Sequence, residues 1–281
     1  MRIDGLLAAG RTTSFEFFPP ANDEEARTLD AALLDLEALE PSFVSVTYRG
    51  GAASRVRTYE LVRTLHARGH TEAMAHLTCV HHTRDELVEI LSDYAEAGIE
   101  NLMLLAGDPD PATGAAGELR HAIDLVRLAR EVGTFCVGVA GHPAGHPDSP
   151  DLATDRRFLA EKLLEADFAV TQMFFEAAEW RGLVDDLAAL GVDKPVVPGI
   201  MPVTTLASAR RMRALGGVVP DWLEAMLADA APRGAAAVRA AGIDAATGLC
   251  RDLLDDGAPG LHFYTLNRST ATREISERLA G

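Results

Sequence analysis

Eight short apolar runs, separated by amphipathic stretches, constrain the fold of this chain more than any other feature. Most of the runs are almost continuously hydrophobic, which is typical of parallel strands covered on both faces. The intervening stretches carry apolar residues at helical spacing. The runs are SFEFF (14–18), FVSVTY (43–48), AMAHLTCV (73–80), NLMLLAG (101–107), FCVGVA (135–140), FAVTQMFF (168–175), PVVPGIM (195–201) and LHFYTL (261–266). This alternation predicts an α/β fold.

Two α/β architectures suit eight such units, a (β/α)8 TIM barrel and an open doubly wound sheet. The open sheet is expected to carry a Gly-rich phosphate turn after its first strand, but the chain reads FEFFPPAND (15–23) there. A P-loop is absent too. We therefore predict a single (β/α)8 barrel over residues 1–281, with two or three extra helices in the long gap 202–260.

Several of the helical stretches carry start signals. Residues 23–39 follow the capping candidate Asn22, and residues 83–98 open with Thr83 and Glu86 in the pattern of a capping box. Further helices are predicted at 118–133, 153–166 and 220–230.

Charge and cysteine usage limit the partners and the compartment. A net charge of −16 argues against a nucleic-acid or anionic-membrane surface. The three cysteines are far apart and form no CxxC pair, and Cys79 and Cys136 lie in apolar runs, so a reducing compartment is expected. No signal-peptide core and no apolar run of membrane-spanning length is present. We expect a cytoplasmic protein whose partners are small molecules, with oligomeric state left open.

The polar residues at the strand ends are the candidate site, because a barrel forms its active site at the carboxyl ends of its strands. They are Glu16, Thr47, Tyr48, His76, Asp108, His142, His146, Gln172, Tyr264, Asn267 and Arg268. Glu16 and Asp108, from the first and fourth strands, are expected to face each other across the mouth. One would be a proton donor with a raised pKa while the other stays ionised.

Each candidate also has a purely structural interpretation. Glu16 stands among three phenylalanines, so it is either the outward-facing residue of an edge strand or a group placed for chemistry. Asp108, in AGDPDP, suits a turn. The stretch GHPAGHP (141–147) is loop-forming, so its two histidines do not have helical ligand spacing and no metal site is predicted.

Taken in order, the strand ends resemble those of one family, the single-domain bacterial methylenetetrahydrofolate reductases. The matching motifs are SFEFFPP, FVSVTY, HLTC, GDP, TQMFF, PGIMPV and HFYTLNR, in the family's order and at similar spacing. The resemblance covers nearly the whole chain. It implies a (β/α)8 barrel that reduces 5,10-methylenetetrahydrofolate to 5-methyltetrahydrofolate, with hydride passing from NADH or NADPH through a bound FAD.

The resemblance also implies roles for single residues. Glu16 falls on the family's general acid, which assists protonation at N10 and opening of the ring to the 5-iminium cation. Asp108 falls on the carboxylate that binds the pterin and favours that cation. Gln172 matches the amide that binds the pterin edge, Arg268 matches an arginine that contacts substrate, and Tyr264 of the same closing motif is expected at the substrate site.

The family's flavin positions are only partly matched. The flavin positions that match hold Thr47, His76, Gly107, Ala122, His146, Asp155 and Lys162, and a further flavin position holds His142 where the family has a tyrosine. Ala106 stands where the family has an arginine, Phe158 where it has an asparagine and Glu161 where it has an arginine. A diphosphate near Glu161 would be repelled rather than paired.

Some actinobacterial relatives of this family work without flavin. We therefore expect NADH or NADPH to reduce the iminium carbon directly, with FAD bound weakly or not at all. The alternative is a conventional FAD-dependent ping-pong reductase. Two further alternatives are another barrel flavoenzyme, such as a proline-dehydrogenase-like oxidoreductase, and a folate-binding protein that has lost catalysis. Retention of both carboxylates favours the reductase.

Overall fold

The computed structural model describes residues 1–48, 52–69, 71–108, 117–214 and 218–280. Within them lie nine strands, β1 (Thr12–Phe17), β2 (Phe43–Val46), β3 (Glu72–Thr78), β4 (Asn101–Leu105), β5 (Cys136–Gly141), β6 (Phe168–Thr171), β7 (Val196–Val197), β8 (Gly199–Ile200) and β9 (Gly260–Tyr264). Neighbouring strands are parallel, and their order in the sheet is β7-β6-β5-β4-β3-β2-β1-β9-β8.

The sheet forms a nearly closed barrel, which confirms the predicted (β/α)8 architecture. All eight predicted runs contain a strand, but the seventh is divided because Pro198 separates β7 from β8. The first half pairs with β6 and the second half with β9. The Pro198 carbonyl still accepts a hydrogen bond from the backbone of His262 at 3.0 Å, so the break remains tied to β9.

Helices alternate with the strands. Among the described residues they are α1 (Ile3–Ala9), α2 (Asp23–Glu37), α3 (Ala52–Arg68), α4 (Arg84–Glu96), α5 (Ala122–Val132), α6 (Leu152–Glu165), α7 (Ala177–Ala189), α8 (Leu206–Ala214), α9 (Asp221–Ala230), α10 (Ala235–Asp255) and α11 (Thr270–Ala280), with a 3-10 turn at Ala231–Arg233. The gap 202–260 thus contains α8, α9 and α10, as predicted. None of these described helices combines the length and the apolar character that crossing a bilayer requires.

The predicted caps of two helices are present. The Asn22 side chain accepts hydrogen bonds from the backbone of Glu24 and Glu25 at the start of α2. Thr83 and Glu86 form the capping box of α4. Helix α5 begins at Ala122 rather than near residue 118, because the backbone N–H of Glu118 donates to the carbonyl of His82 at 3.0 Å.

The alternation of side chains along β1 decides where Glu16 points. Phe15 and Phe17 are buried in the layer between the sheet and the outer helices. Residues two apart share a face of a strand, so Ser14 and Glu16 face the barrel interior instead. Glu16 is therefore neither an edge residue nor part of the phenylalanine cluster. Its apolar neighbours in sequence pack on the opposite face.

Helix α1, which was not predicted, closes the amino-terminal end of the barrel. Ile3 and Leu7 pack against large residues from the beginnings of the strands, among them Phe43 and Phe168. The backbone N–H of Ile3 donates to Oδ1 of Asn101 at 2.9 Å. With this end filled by side chains, the carboxyl ends of the strands are the open end of the barrel.

Candidate active site

Glu16 lies on the inner face of β1 between two histidines. Its Oε2 is 3.5 Å from Nε2 of His76 on β3 and 3.5 Å from Nε2 of His262 on β9. Both histidines are buried, whereas 17% of the Glu16 side chain remains exposed. The contact distances are at the outer limit of a hydrogen bond. We call these three residues the acid cluster.

The two histidines are held differently. His262 has Oγ of Ser14 2.8 Å from Nδ1 and Oγ of Ser45 3.5 Å from Nε2, and its ring stacks on Phe43. Nε2 of His76, in contrast, is buried without a hydrogen-bond partner among the described residues. Such an unpaired polar atom is unfavourable in the free protein and is suited to a ligand or to a proton transfer.

The electrostatics of the cluster overturn one expectation. Burial by itself raises the pKa of Glu16, but the hydrogen bond from His262 and the charges of His76 and His262 outweigh it, so the pKa lies below its ordinary value. Burial lowers the pKa of His76, and the charge of Glu16 offsets part of this effect. The expected raised pKa of Glu16 is therefore wrong. The phenylalanines that suggested a raised pKa face the outer helices. On the inner face of the barrel, Glu16 has two histidines as neighbours instead.

Tyr264 closes the gap between β9 and β6. Its hydroxyl donates to the carbonyl of Thr171 at 2.6 Å, and its ring lies so close to Gly199 that a Cβ there would approach the ring to 2.7 Å. Burial and the charge of Glu16 raise the pKa of Tyr264 well above its usual value. The hydroxyl that we expected at the substrate site is thus engaged within the barrel wall.

The segment after β9 is fixed to the end of β1. The buried side chain of Asn267 accepts from the backbone N–H of Phe18 and donates to its carbonyl, both at 2.9 Å. Leu266 and Asn267 have positive φ angles of 51° and 56°. Both residues have left-handed backbone conformations, which are strained, and the two side-chain bonds of Asn267 to Phe18 hold the chain in this path. Arg268 is consequently presented, exposed, beside the barrel mouth.

Other predicted residues lie at the strand ends but outside the acid cluster. Asp108 is exposed and is the last residue described before the gap at 109–116, and Gly107 before it has a φ of 77°. Gln172 follows β6, is exposed, and its Oε1 accepts from the backbone of Met173 at 3.0 Å. Thr47 follows β2 and is half-buried. No described contact joins Asp108 to Glu16.

The loop after β5 is anchored by buried groups of α6. Oδ1 of Asp155 accepts from the backbone of His146 and from Oγ of Ser149, both at 3.0 Å. Arg156, 4% exposed, donates to the carbonyls of His142 at 2.9 Å and Pro143 at 2.6 Å. These bonds fix the loop to the helix.

Lys162 and His142 complete this side of the mouth. Nζ of Lys162 donates to the carbonyl of Ala140 at 3.0 Å, and burial lowers the pKa of this lysine. The rings of His142 and His146 pack edge to face, with their centroids 4.7 Å apart. Burial, followed by the charges of His146 and Lys162, lowers the pKa of His142 to about 4. We call residues 142–149 and their α6 partners the anchored loop.

The anchored loop leaves few groups for a dinucleotide diphosphate. Phe158 is 53% exposed and Glu161 is exposed on α6. Asp155 and Lys162, which the sequence resemblance predicts to contact flavin, already bond to the protein. Ala122, for which the same contact is predicted, is the buried first residue of α5. The described residues therefore do not fit the diphosphate of FAD.

Among the described residues, one group has the donors of a metal site, namely Asp4, Cys136 and Asp167. It lies at the closed end of the barrel, where an Arg2 nitrogen is 2.9 Å from Asp4 and 3.7 Å from Asp167. Burial raises the pKa of Cys136 to about 12, so the thiol stays protonated. The arginine already supplies the positive charge, and this group is a structural cluster.

Sequence reasoning missed His262 and Arg156. The motif HFYTLNR contains His262, but the inward face of β9 could not be assigned before the register with β1 was known. Arg156 lies beside the predicted Asp155 on α6, and only the folded loop reveals its two carbonyl partners. His76 was expected at a flavin. The structure places it beside Glu16.

Sequence comparisons identify relatives over almost the full chain. A family model described as "Methylenetetrahydrofolate reductase" matches residues 2–280. A 5,10-methylenetetrahydrofolate reductase of Pectobacterium carotovorum subsp. carotovorum is 35% identical over 268 residues, covering 95% of this chain and 89% of the relative. The enzyme of the same name from Escherichia coli (strain K12) is also 35% identical, covering 95% of this chain and 90% of the relative.

Comparison with solved structures supports the fold. An uncharacterized protein from Clostridium thermocellum, described as binding two copies of 5-methyl-5,6,7,8-tetrahydrofolic acid, superposes with a TM-score of 0.71. Its sequence is 14% identical, and the match covers 98% of this chain and 96% of that one. At this identity the likeness concerns the barrel alone.

Proposed function

This chain belongs to the methylenetetrahydrofolate reductase family, an oxidoreductase family that reduces 5,10-methylenetetrahydrofolate to 5-methyltetrahydrofolate, and we propose that it does so by taking hydride directly from NADH or NADPH. The acid cluster carries this proposal. A carboxylate between two histidines at the open end of the barrel is suited to protonating a leaving nitrogen.

The reaction needs one proton and one hydride. Protonation of N10 allows the bond between N10 and the methylene carbon to break, which leaves an iminium cation at N5. Hydride from the nicotinamide then forms the new C–H bond, the nicotinamide is oxidised by two electrons, and the methylene carbon becomes a methyl group. The iminium is a strong hydride acceptor, so correct positioning supplies most of the remaining acceleration.

In this proposal the acid cluster delivers the proton as a unit. A glutamate whose pKa lies below its ordinary value is ionised at neutral pH and does not hold the proton alone. The charge of Glu16 offsets part of the burial effect that lowers the pKa of His76, so Glu16 favours the transfer of a proton through His76. Nε2 of His76, which has no hydrogen-bond partner among the described residues, is proposed to pass that proton to N10 and not to store it, because burial lowers the pKa of this histidine. Asp108 and Gln172 are proposed to bind the pterin, and Arg268 the glutamyl end of the substrate.

The family generally depends on NAD(P)H and FAD, so the donor and the flavin require a specific argument. FAD, where it is bound, supplies an intermediate hydride carrier. Here the polar groups of the anchored loop are hydrogen-bonded within the protein, and Phe158 and Glu161 occupy the exposed face of α6. This arrangement supports direct transfer. A conventional flavoenzyme remains the second candidate, favoured by Thr47, His76 and His146 at flavin positions.

The two candidates differ in what the purified protein contains and requires. We expect protein purified without added FAD to show no stoichiometric flavin absorbance and to oxidise NADH or NADPH only when 5,10-methylenetetrahydrofolate is present. Added FAD should not raise the rate. The His76→Asn variant should still bind NADH or NADPH but lose most of the rate, because the acid cluster then lacks its unpaired nitrogen.

Stoichiometric flavin in active protein, or a rate that requires FAD, would establish the second candidate. Absence of methylenetetrahydrofolate-dependent oxidation with either nucleotide, with and without FAD, would reject the reductase function itself.

A further inference from the structure

A hydrogen-bonded pair of side chains lies beside the barrel mouth but outside the acid cluster. The hydroxyl oxygen of Tyr48 is 2.5 Å from Nε2 of His82, and the two rings stack with their centroids 5.8 Å apart. Both residues are buried. Tyr48 is one of the predicted site residues, but it packs with Val44 and Val46 in the layer between the sheet and the outer helices. It is therefore not placed to contact a ligand inside the barrel.

The hydroxyl of Tyr48 is the donor of this bond. Burial raises the pKa of Tyr48 to about 12 and lowers the pKa of His82, so the phenol stays protonated and the imidazole is neutral. Nε2 of His82 then accepts, and Nδ1 carries the proton and lies 3.8 Å from Oε2 of Glu86. The bond ties the end of β2 to the residues that follow β3. We call residues 79–84 the support segment.

The support segment contacts the chain between β4 and α5 at both of its described ends. At the first end, the backbone N–H of Val80 donates to the carbonyl of Ala106 at 3.2 Å. A Cβ on Gly107 would approach Cγ2 of Val80 to 2.5 Å, so the two segments touch closely there. Asp108 directly follows Gly107. The backbone that leads into Asp108 thus rests on the support segment.

The contact at the second end is made by backbone groups. A Cβ on Gly117 would collide with the carbonyl oxygen of Cys79, so the close approach requires glycine. The backbone N–H of Glu118 donates to the carbonyl of His82 at 3.0 Å, and Oε2 of Glu118 accepts from the backbone N–H of Arg84 at 2.9 Å. The ring of His82 is therefore tied to β2, while its carbonyl holds the chain that leads into α5.

The support segment contains a strained residue. His81 has a φ of 67°, in the left-handed region that is uncommon for residues with a side chain. Such a conformation persists only where neighbouring contacts determine it. On one side of His81 the capping box of Thr83 begins α4, and on the other Val80 is bonded to β4. The buried ring of His82 adds a side-chain contact to these backbone ones.

We propose that Tyr48 and His82 are positioning residues for folate binding, which fix the support segment and thereby hold Asp108 where it binds the pterin. The assignment rests on the proposed function. No hydrogen bond to a described residue fixes the exposed side chain of Asp108, so the backbone beside it sets its place. In this proposal neither Tyr48 nor His82 contacts the substrate.

The test measures binding of 5-methyltetrahydrofolate and of NADH, each separately, by titration calorimetry. Tyr48→Phe keeps the stacked ring and removes only the hydroxyl. We expect folate to bind about fivefold more weakly, the effect of one hydrogen bond, and NADH affinity to stay within about twofold of the wild type. In steady-state assays KM for the folate should rise by the same factor while kcat is retained, because the acid cluster is unchanged.

A double-mutant cycle tests whether the effect passes through Asp108. Asp108→Asn should itself weaken folate binding. In that background the further loss caused by Tyr48→Phe should fall below about twofold, because the group that the pair positions has lost its charge.

Two further comparisons separate the hydrogen bond from general packing. His82→Gln retains a group that can accept from the Tyr48 hydroxyl and should keep most of the folate affinity, whereas His82→Leu should weaken binding as Tyr48→Phe does. Tyr94→Phe is the matched control. Tyr94 is also a buried tyrosine, and its hydroxyl makes no hydrogen bond within the described ranges, so both affinities should stay at the wild-type values.

Unchanged folate affinity in Tyr48→Phe would overturn the proposal, and so would an equal loss in Tyr94→Phe or an equal loss of NADH affinity. A full fivefold effect of Tyr48→Phe in the Asp108→Asn background would show that the pair does not act through Asp108, which also overturns it. A wild-type protein that binds no 5-methyltetrahydrofolate would reject the proposed function and this proposal with it. The other three outcomes leave the proposed function intact.

Discussion

The two sides of the barrel mouth differ in where their polar groups find partners. On the side of β1, β3 and β9, the acid cluster has three titratable side chains within 3.5 Å contacts, and one of them has a buried nitrogen without a hydrogen-bond partner. On the side of β5 and α6, the buried Arg156 and Asp155 are bonded to the backbone of their own loop. Unsatisfied groups indicate chemistry, and satisfied groups indicate scaffolding.

This difference predicts catalytic roles for some polar residues and structural roles for others that look alike in sequence. Glu16, His76 and Lys162 are all polar residues for which the sequence resemblance predicts a function. Lys162 donates to a strand carbonyl, whereas Glu16 and His76 contact each other and the interior of the mouth. Substitutions on one side should therefore change the rate, and substitutions on the other should change stability.

The largest effect is expected for Glu16→Gln. The amide keeps the size of the side chain but removes the charge that favours a proton on His76, so kcat should fall about a thousandfold, in the range of general-acid catalysis. The free energy of unfolding should change by only about 1 kcal/mol. Steady-state NADH oxidation and urea unfolding give the two values.

Glu161→Gln is the control for that variant, because it removes a carboxylate from the exposed face of α6. It should retain the wild-type rate. A Glu16→Gln enzyme with full activity, or a control that loses as much, would remove the distinction between the two sides.

The reverse pattern is expected for Arg156→Gln. Arg156 is buried and bonds two loop carbonyls and Asp186, so its loss leaves those groups without partners and should lower the free energy of unfolding by about 3 kcal/mol. The neighbouring Arg157 bonds only the hydroxyl of Thr154 among the described residues, and Arg157→Gln should change stability by less than about 0.5 kcal/mol.

Thermal or urea unfolding of both variants checks this pair, and the rate of each variant at a temperature where it is folded provides the second readout. If Arg156→Gln is as stable as Arg157→Gln, or folds normally but loses activity as Glu16→Gln does, the anchored loop has a catalytic rather than a structural role.

The sequence predicted the barrel because each strand run is hydrophobic on both faces, and this property is visible without knowing which strands pair. The sequence does not show which face each neighbour of Glu16 lies on, so it did not reveal the environment of this residue. Three phenylalanines next to it in sequence suggested an apolar pocket, whereas Phe15 and Phe17 lie on the other face of β1. The neighbours that set its pKa, His76 and His262, come from β3 and β9.

Helix α1 and the break at Pro198 were not foreseen for related reasons. Seven residues of α1 form too short a helix to be recognised from periodicity, and their burial depends on the large side chains at the amino ends of the strands. Pro198 removes one backbone donor within a run that is otherwise a strand, and only the pairing with β6 and β9 shows that the barrel remains connected.

A pH-dependent difference of smaller size is expected for His142 in the anchored loop. Its pKa is lowered from 6.5 to about 4 in the folded protein, so the unfolded chain binds the proton first as the pH falls. His142 therefore costs no stability above pH 6.5 and progressively lowers stability between pH 6.5 and 4, by about 2 kcal/mol in total because the ring is partly exposed.

His142→Gln should remove this part of the pH dependence. The difference in unfolding free energy between variant and wild type, measured at pH 7 and at pH 4.5, isolates it from the other titrating groups. His121→Gln is a suitable control because His121 is an exposed histidine at the start of α5. A difference that does not grow as the pH falls would show that the ring is protonated as easily as in the unfolded chain.

The smallest effect is expected at Tyr264, which connects the two sides. Tyr264→Phe keeps the ring against Gly199 and removes the bond from the hydroxyl to the Thr171 carbonyl, so the free energy of unfolding should fall by about 1 kcal/mol, with KM for the folate unchanged. The control is Tyr94→Phe, since the buried Tyr94 hydroxyl has no hydrogen bond among the described residues, and its stability should stay near that of the wild type. If Tyr264→Phe instead raises KM at unchanged stability, the hydroxyl leaves the barrel wall to bind substrate. Tyr264 would then belong with the catalytic groups of the mouth and not with the structural ones.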